Sequence, residues 1–168
     1  FDVALAFASQ PIPKGRRVGI VTNAGGPGIM AVDAMVSFGL ELPELPERAR
    51  RILKAGLSAA ATISNPCDLV GGATVKEYRL ALEAFAAEEV FDALVVICVP
   101  TVMHDPTDIY LAAAVFAESQ RKPCLGVFLD CRRGDDFRLD HYGGDIRLDD
   151  QDVRPFRAAA DEAGVFRL

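Results

Sequence analysis

The stretch "VGIVTNAGGPGIMAVDAM" at residues 18–35 joins an unbroken apolar run to three glycines and then to a helical pattern. The Val- and Ile-rich run within 16–23 is typical of a strand buried on both faces of a parallel sheet. Pro27 as the first helical residue and Gly39 as the stop predict a helix over 27–39. A buried strand that leads directly into a glycine-rich helix start restricts the chain to an α/β fold.

The remaining segments alternate between strand and helix in the same way. Further strands are predicted at 40–45, 92–100, 122–130 and 165–168, and further helices at 46–57, 75–89, 105–121 and 152–164. The pattern predicts a flavodoxin-like, doubly wound parallel sheet of five strands in three α/β/α layers, ordered 2-1-3-4-5. We expect residues 1–15 to end an inter-domain helix or linker, and 16–168 to form the domain, with 131–152 as a divergent polar loop.

Composition narrows the class of protein. The chain has 168 residues, of which 51% are hydrophobic, so a single domain with a substantial core is expected. A net charge of −6 argues against nucleic acid or an anionic membrane as a partner. No apolar run approaches the roughly 20 residues of a membrane span. The four cysteines form no C-x-x-C pair, which favours buried cysteines, no metal site and a cytoplasmic protein.

The segment N-A-G-G-P-G raises the question of an anion site. The first N–H groups of a helix lack partners and lie at the positive end of its dipole. Gly25, Gly26 and Gly28 would let a ligand's oxygens approach these groups closely, and Asn23 would donate its side-chain amide. The glycine spacing matches neither a P-loop nor G-x-G-x-x-G. A tight strand-to-helix turn without a ligand is the alternative.

The segment "GRRVGIVTNAGGPGIMAVDAM", followed by "ISNPCDLVGGAT", resembles the last flavodoxin-like domain of the NDP-forming acyl-CoA synthetases. These are the ADP-forming acetyl-CoA synthetase relatives of succinyl-CoA synthetase. The likeness continues through "YRLALEAFAAEEVFDALVVICVP" and "KPCLGVF" and covers roughly residues 10–130. The pairing of T-N-A-G-G-P-G with a downstream N-P-x-D is specific, whereas the tail from 131 onward departs from the family pattern.

The resemblance implies an enzyme that joins a carboxylic acid to CoA at the expense of ATP, through an acyl phosphate and a phosphohistidine. In the family, the phosphohistidine loop lies between the N-termini of two facing helices. The helix that begins at Pro27 corresponds to one of them, so Gly25, Gly26 and Gly28 would stabilise the phosphoryl group. The parent enzyme is expected to use ATP or ADP, Mg²⁺ and CoA, while this domain alone is expected to bind no cofactor.

The carrier histidine is expected in another domain, because the family's His-Thr-Gly-Ala-type loop is absent here. His104 is interpreted as a loop or helix-start residue and His141 as a structural or exposed one, so no catalytic residue is assigned.

Two further polar positions lie in the segment that resembles the family's Asn-Pro-x-Asp. Asn65 and Asp68 either support the glycine loop and its ligand or simply close an Asx-type turn. Asp33 is expected to face solvent. Arg132 and Arg133 are interpreted as a solvated surface pair rather than as ligands of CoA phosphates.

The sequence thus predicts one domain of a multidomain acyl-CoA synthetase, inactive when isolated. Its expected partners are the CoA-binding, phosphohistidine and ATP-grasp domains and a small acyl substrate. The alternative is a regulatory acyl-CoA- or nucleotide-sensing domain of a GNAT-fused protein lysine acetyltransferase. A stand-alone flavin module has little support, because there is no Ser/Thr-rich phosphate loop after the first strand and no Trp.

Overall fold

The computed structural model describes residues 11–101 and 122–128 and, between these ranges, residues 108, 109, 112, 113, 115 and 116. The strands are β1 (Val18–Thr22), β2 (Cys67–Asp68), β3 (Ala93–Cys98) and β4 (Cys124–Phe128). The helices are α1 (Gly25–Ser37), α2 (Glu47–Gly56) and α3 (Val75–Ala86), and residues 108, 109, 112, 113, 115 and 116, between β3 and β4, are also helical.

The four strands form one parallel sheet in the order β2-β1-β3-β4. Val18 lies opposite Ala93 and Thr22 opposite Ile97, so β1 and β3 end at the same edge. The predicted α/β class is confirmed, and so is the order of three predicted strands, in which the strand at 92–100 lies between those at 16–23 and 122–130. The predicted fifth strand, the helix over 152–164 and the loop over 131–152 lie outside the described residues.

Helices cover both faces of the sheet, as the apolar strands predicted. On one face α1 packs its Ala31, Val32 and Met35 against the β1 residues Val18 and Ile20. The opposite face carries the larger cluster, in which α2, α3 and the helical residues after β3 pack against β1, β3 and β4. This arrangement leaves the carboxyl edge of the sheet as the place where the strand-to-helix loops meet.

Helix boundaries differ from the predicted ones by a few residues. α1 begins at Gly25 rather than at Pro27, so two glycines form its first turn. Its last residue is Ser37, two residues before the predicted stop Gly39, whose φ of 74° lies in the left-handed region that glycine tolerates. The following N–H, that of Leu40, bonds the Met35 carbonyl at 2.9 Å and closes the helix end.

The predicted strand over 40–45 is wrong. Only Glu41 pairs there, as a single bridge to Arg17, and the second strand of the sheet is instead Cys67–Asp68. Pro43 and Pro46 remove backbone donors from this stretch, which limits strand pairing. The edge of β1 is therefore shared between Glu41 near its start and β2 near its end.

The side chain of Asn65 fills the interval between these two pairings. Its Oδ1 accepts the Ile20 N–H at 2.9 Å, and its Nδ2 donates to the carbonyls of Val18 at 2.8 Å and Pro43 at 3.0 Å. The amide thus takes the position of a peptide group of a neighbouring strand. It satisfies backbone groups of β1 that neither Glu41 nor β2 reaches.

An ion pair closes the opposite, amino-terminal end of the sheet. The Arg17 guanidinium donates to both carboxylate oxygens of Asp92, at 2.8 and 2.9 Å, and the Arg17 backbone N–H donates to the same carboxylate. The Asp92 side chain is buried, while that of Arg17 is 42% exposed. The hydrogen bonds from Arg17 lower the pKa of Asp92 from its ordinary 3.8 to about 2.

We predict that Asn65→Ala lowers the free energy of unfolding by about 3 kcal/mol, because it leaves an N–H and two carbonyls of the sheet edge without partners. Urea denaturation of the wild type and the variant measures this difference in the free energy of unfolding. The matched control is Ser64→Ala, which removes one hydrogen bond of the same loop, to the Pro66 carbonyl, and leaves β1 intact. Equal losses for the two variants would contradict the role of Asn65 in the sheet.

The Asp92 carboxylate is expected to make stability depend on pH below 4. Because its pKa is lower in the folded state, its contribution is complete above about pH 4 and is lost as the pH falls towards about 2. Asp92→Asn should lower stability at pH 7 and flatten the stability curve in that window. Glu44→Gln, which removes only the exposed 3.6 Å pair with Arg50, should leave the curve unchanged. Thermal unfolding at stepped pH values gives both curves.

Candidate functional site

The start of α1 lies at the carboxyl edge of the sheet and has no side-chain cap. Its N-cap residue, Ala24, is extended, at φ −142° and ψ 114°, and the first turn contains no acidic residue. The Gly28 N–H bonds the Ala24 carbonyl at 3.2 Å. Within the described part of the chain, the N–H groups of Gly25 and Gly26 have no hydrogen-bond partner. Two donors at the positive end of a helix dipole are therefore available to an anion.

The first turns of the other described helices differ from that of α1 in their caps and charges. α3 begins with a capping box, in which the Thr74 side chain accepts the Glu77 N–H while the Glu77 carboxylate accepts the Thr74 N–H. α2 also lacks a side-chain cap, but it carries the acidic Glu47 in its first turn, whereas α1 has neither a cap nor an acidic residue there. The open terminus of α1 is thus a local property of the N-A-G-G-P-G segment.

The three glycines of α1 have different surroundings. A Cβ on Gly26 would meet nothing within 4 Å, so this residue faces open space. A Cβ on Gly25 would lie 3.0 Å from Oδ2 of Asp68. Gly28 is buried, and a Cβ there would lie 3.2 Å from Cγ2 of Thr22. Gly25 and Gly26 border the open terminus, whereas Gly28 permits close packing of α1 on β1.

Asp68 belongs to a second loop at the same edge. Its Oδ1 accepts the Val70 N–H at 2.9 Å, and its Oδ2 faces Gly25. Val70 has a φ of 62°, which is a strained conformation for a β-branched residue. The loop after β2 is therefore held in an unfavourable backbone shape beside the glycine loop.

Asn23 bonds the end of β3 rather than the glycine loop. Its Oδ1 accepts the Val99 N–H at 2.8 Å, and its Nδ2 donates to the Val99 carbonyl, also at 2.8 Å. The side chain is almost completely buried. The preceding Thr22 closes the turn from the other side, since its Oγ1 bonds both the N–H and the carbonyl of Ala24.

The structure therefore brings together only part of the predicted set. Gly25, Gly26 and Asp68 lie around the open terminus, Gly28 packs beneath it and Asn23 stands beside it. Asn65 lies away from it, within the edge of β1.

Three outcomes concern other residues. Asp33 is exposed on α1, as expected. His104, His141, Arg132 and Arg133 lie outside the described residues. Sequence reasoning missed Val99, because nothing in the sequence indicates that a backbone group will pair with the Asn23 amide.

The cysteines at this edge are not prepared for nucleophilic chemistry. Burial raises the pKa of Cys67 to about 12 and that of Cys98 to about 11, so both remain thiols at neutral pH. Cys124 is also buried, which agrees with the predicted buried cysteines, and Cys131 lies outside the described residues. In the described ranges, no group of three or more His, Cys, Asp or Glu side chains is placed to hold a metal ion.

None of the described helices combines the length and the apolar character that crossing a membrane requires.

Comparison with known proteins gives the same family that the motifs suggest. The model of the Ligase-CoA domain family matches residues 18–126. The chain is 36% identical over 132 residues to acetate–CoA ligase (ADP-forming) II subunit alpha of Pyrococcus furiosus, covering 76% of this chain and 29% of that protein. It is 34% identical over 105 residues to acetate–CoA ligase (ADP-forming) I of Archaeoglobus fulgidus, covering 62% and 15%. The chain thus spans less than a third of either relative.

Solved structures support the fold. A crystal structure of a Pyrococcus horikoshii OT3 protein superimposes with a TM-score of 0.77 at 26% identity, over 99% of this chain and 34% of that one. The dinucleotide-forming acetyl-coenzyme A synthetase 1 of Ca. Korarchaeum cryptofilum gives a TM-score of 0.76 at 22% identity, over 99% and 33%. The flavodoxin-like three-layer class is thereby confirmed, and the described residues contain three of the five predicted strands together with the strand Cys67–Asp68, which was not predicted.

The open terminus of α1 should gain stability from a side-chain cap. We predict that Ala24→Ser raises the free energy of unfolding by about 0.5–1 kcal/mol, because a serine at this extended N-cap position accepts a first-turn N–H. Thr74→Ala, which removes the existing cap of α3, should lower it by about 1 kcal/mol. Urea denaturation of the wild type and both variants gives the three free energies of unfolding. A loss for Thr74→Ala without a gain for Ala24→Ser would mean that the α1 donors are not accessible.

Proposed function

Because the chain belongs to the Ligase-CoA domain family, we propose that it is one domain of an ADP-forming acyl-CoA synthetase. The parent enzyme joins a small carboxylic acid to CoA and couples this reaction to the conversion of ATP to ADP, with Mg²⁺. In that enzyme this domain contributes electrostatic stabilisation and no ionisable catalytic group. The observation that carries the proposal is the uncapped, glycine-rich N-terminus of α1 at the carboxyl edge of the sheet.

The chemistry of the terminus suits a transferring phosphoryl group. The N–H groups of Gly25 and Gly26 are already oriented, so they stabilise negative charge without reorganisation during the reaction. The helix dipole adds a partial positive charge at the same point. The absence of a Cβ on Gly26 leaves the approach to both donors open. A phosphohistidine carried by a different domain, or the acyl phosphate derived from it, is the anion that this terminus receives.

The residues around the two donors hold them in place. Asp68 supports the neighbouring loop through Val70 and lies against Gly25, while Gly28 lets α1 pack closely on Thr22. Asn65 supports the strand from which α1 starts. On this view the isolated chain is inactive, because the carrier histidine, the CoA-binding domain and the ATP-grasp domain belong to other parts of the synthetase.

Gly26→Ala in the full-length parent tests the proposal. The added methyl group would meet nothing within 4 Å, so the fold is retained, and we expect it to obstruct the approach of the anion to the two donors. We predict that ATP formation from acyl-CoA, ADP, phosphate and Mg²⁺ falls at least about tenfold, since the methyl group keeps the phosphoryl oxygens away from the N–H groups, and losing the contact to one preorganised donor typically costs more than that. Acid-labile phosphohistidine should fall in parallel. The matched control is Gly72→Ala, whose Cβ also meets nothing within 4 Å and which should keep its activity.

Two other outcomes of this experiment would contradict different parts of the proposal. Equal activities of Gly26→Ala and wild type would contradict the role of the α1 terminus while leaving the synthetase assignment standing. A wild-type parent that forms no ATP over a broad acyl panel, yet binds acyl-CoA or nucleotide, would contradict the synthetase assignment and point to the regulatory sensor.

A further inference from the structure

Asn23 is one of three polar or charged residues that are buried among the described residues, together with Thr22 and Asp92. It is 5% exposed, and both polar atoms of its side chain bond the backbone of a single residue, Val99. An amide that is committed in both directions to a neighbouring chain segment is held in one orientation. Its side chain is therefore fixed before any ligand arrives.

The hydrogen-bonded pair of Asn23 and Val99 lies just beyond the paired parts of β1 and β3 and connects the ends of the two strands. Asn23 follows the last residue of β1, and Val99 follows the last residue of β3. Regular pairing between the two strands ends with Thr22 opposite Ile97. The two 2.8 Å bonds continue the connection beyond the last strand pair and join the two chain ends where α1 begins.

We propose that Asn23 is a positioning residue, which holds the open N-terminus of α1 against the end of β3, and that it is not itself a phosphate ligand. This inference rests on the proposed function of that terminus. Thr22 fixes Ala24 on one side of the turn, and Asn23 fixes the turn to β3 on the other. The N–H groups of Gly25 and Gly26 follow directly, so their direction depends on this connection.

The size of the effect follows from how electrostatic stabilisation depends on geometry. The field of a helix terminus acts within about one turn, and a displacement of about 1 Å at a reacting group costs up to about 100-fold in rate. Loss of the Asn23 connection is therefore expected to lower turnover of the parent enzyme and to leave the binding of acyl-CoA unchanged, because both polar atoms of the Asn23 side chain are bonded to the Val99 backbone.

The experiment uses Asn23→Ala in the full-length parent, with Tyr78→Phe as the matched control. The Tyr78 hydroxyl donates to the Ile97 carbonyl at 3.0 Å, so its loss removes a buried hydrogen bond from the same strand without touching the turn. We expect kcat for ATP formation to fall at least about tenfold in Asn23→Ala, with KM for acyl-CoA within twofold of wild type. Tyr78→Phe should stay within twofold in both values.

The fall in kcat at unchanged KM is the readout that a purely structural role would not give, and amide hydrogen exchange shows whether the change is confined to the turn. In Asn23→Ala, the amides of Val99 and Gly28 should exchange at least about tenfold faster relative to core amides of β3, and in Tyr78→Phe they should not. Should Asn23→Ala fail to fold, Asn23→Asp is measured instead. It keeps an acceptor for the Val99 N–H but loses the donor to the Val99 carbonyl, so faster exchange is then expected at Gly28 and not at Val99.

Activity and exchange together separate the possible results. A raised KM for phosphate with normal exchange at Val99 and Gly28 would overturn the inference and make Asn23 a ligand. A loss of activity no larger than that of Tyr78→Phe would also overturn it. If the wild-type parent forms no ATP, the proposed function fails, and the exchange data alone then decide whether Asn23 positions α1.

Discussion

The edge of this sheet depends on the hydrogen bonds that the side-chain amide of Asn65 makes with the backbone. β1 is paired on one side by β3 along its whole length, but on the other side it meets only a single bridge at Glu41 and the two residues of β2. The Asn65 side chain bonds the backbone between these contacts and also reaches the carbonyl of Pro43. One side chain thereby joins three separate chain segments, and the position of β1 within the sheet is fixed.

From this fixed strand the carboxyl edge is built. Asn23 ties the end of β1 to the end of β3, and the loop that begins with Asn65 returns Asp68 to the side of Gly25. This edge also contains two locally unfavourable features, since α1 lacks a side-chain cap and Val70 adopts a left-handed conformation. Such costs persist where the surrounding structure enforces them, and they concentrate at functional sites. The capped start of α3 on the same edge gives the contrast within one molecule.

The sequence predicted the main elements because their signals are local. β1 and β3 are near-continuous apolar runs, and the Thr74 cap and the Gly39 stop mark helix ends directly. The second strand was misplaced because a two-residue strand has no periodicity, and Asn-Pro reads as a turn. The glycines of the candidate site were singled out from their position between a buried strand and a helix, but the partners of Asn23 and Asn65 were not predicted. A side-chain amide bonds whichever backbone groups the fold presents to it, and those groups are distant in sequence.

The sequence by itself therefore determined the α/β class, the family resemblance and a glycine-rich helix start suited to an anion, because each depends on residues that are close together along the chain. Tertiary structure alone decided which of those residues reach the site. It placed Gly25, Gly26 and Asp68 together, turned Asn23 towards Val99 and placed Asn65 within the sheet. The physical reason is that buried amides must satisfy both their donor and their acceptor, and only the folded chain brings the matching backbone groups within about 3 Å.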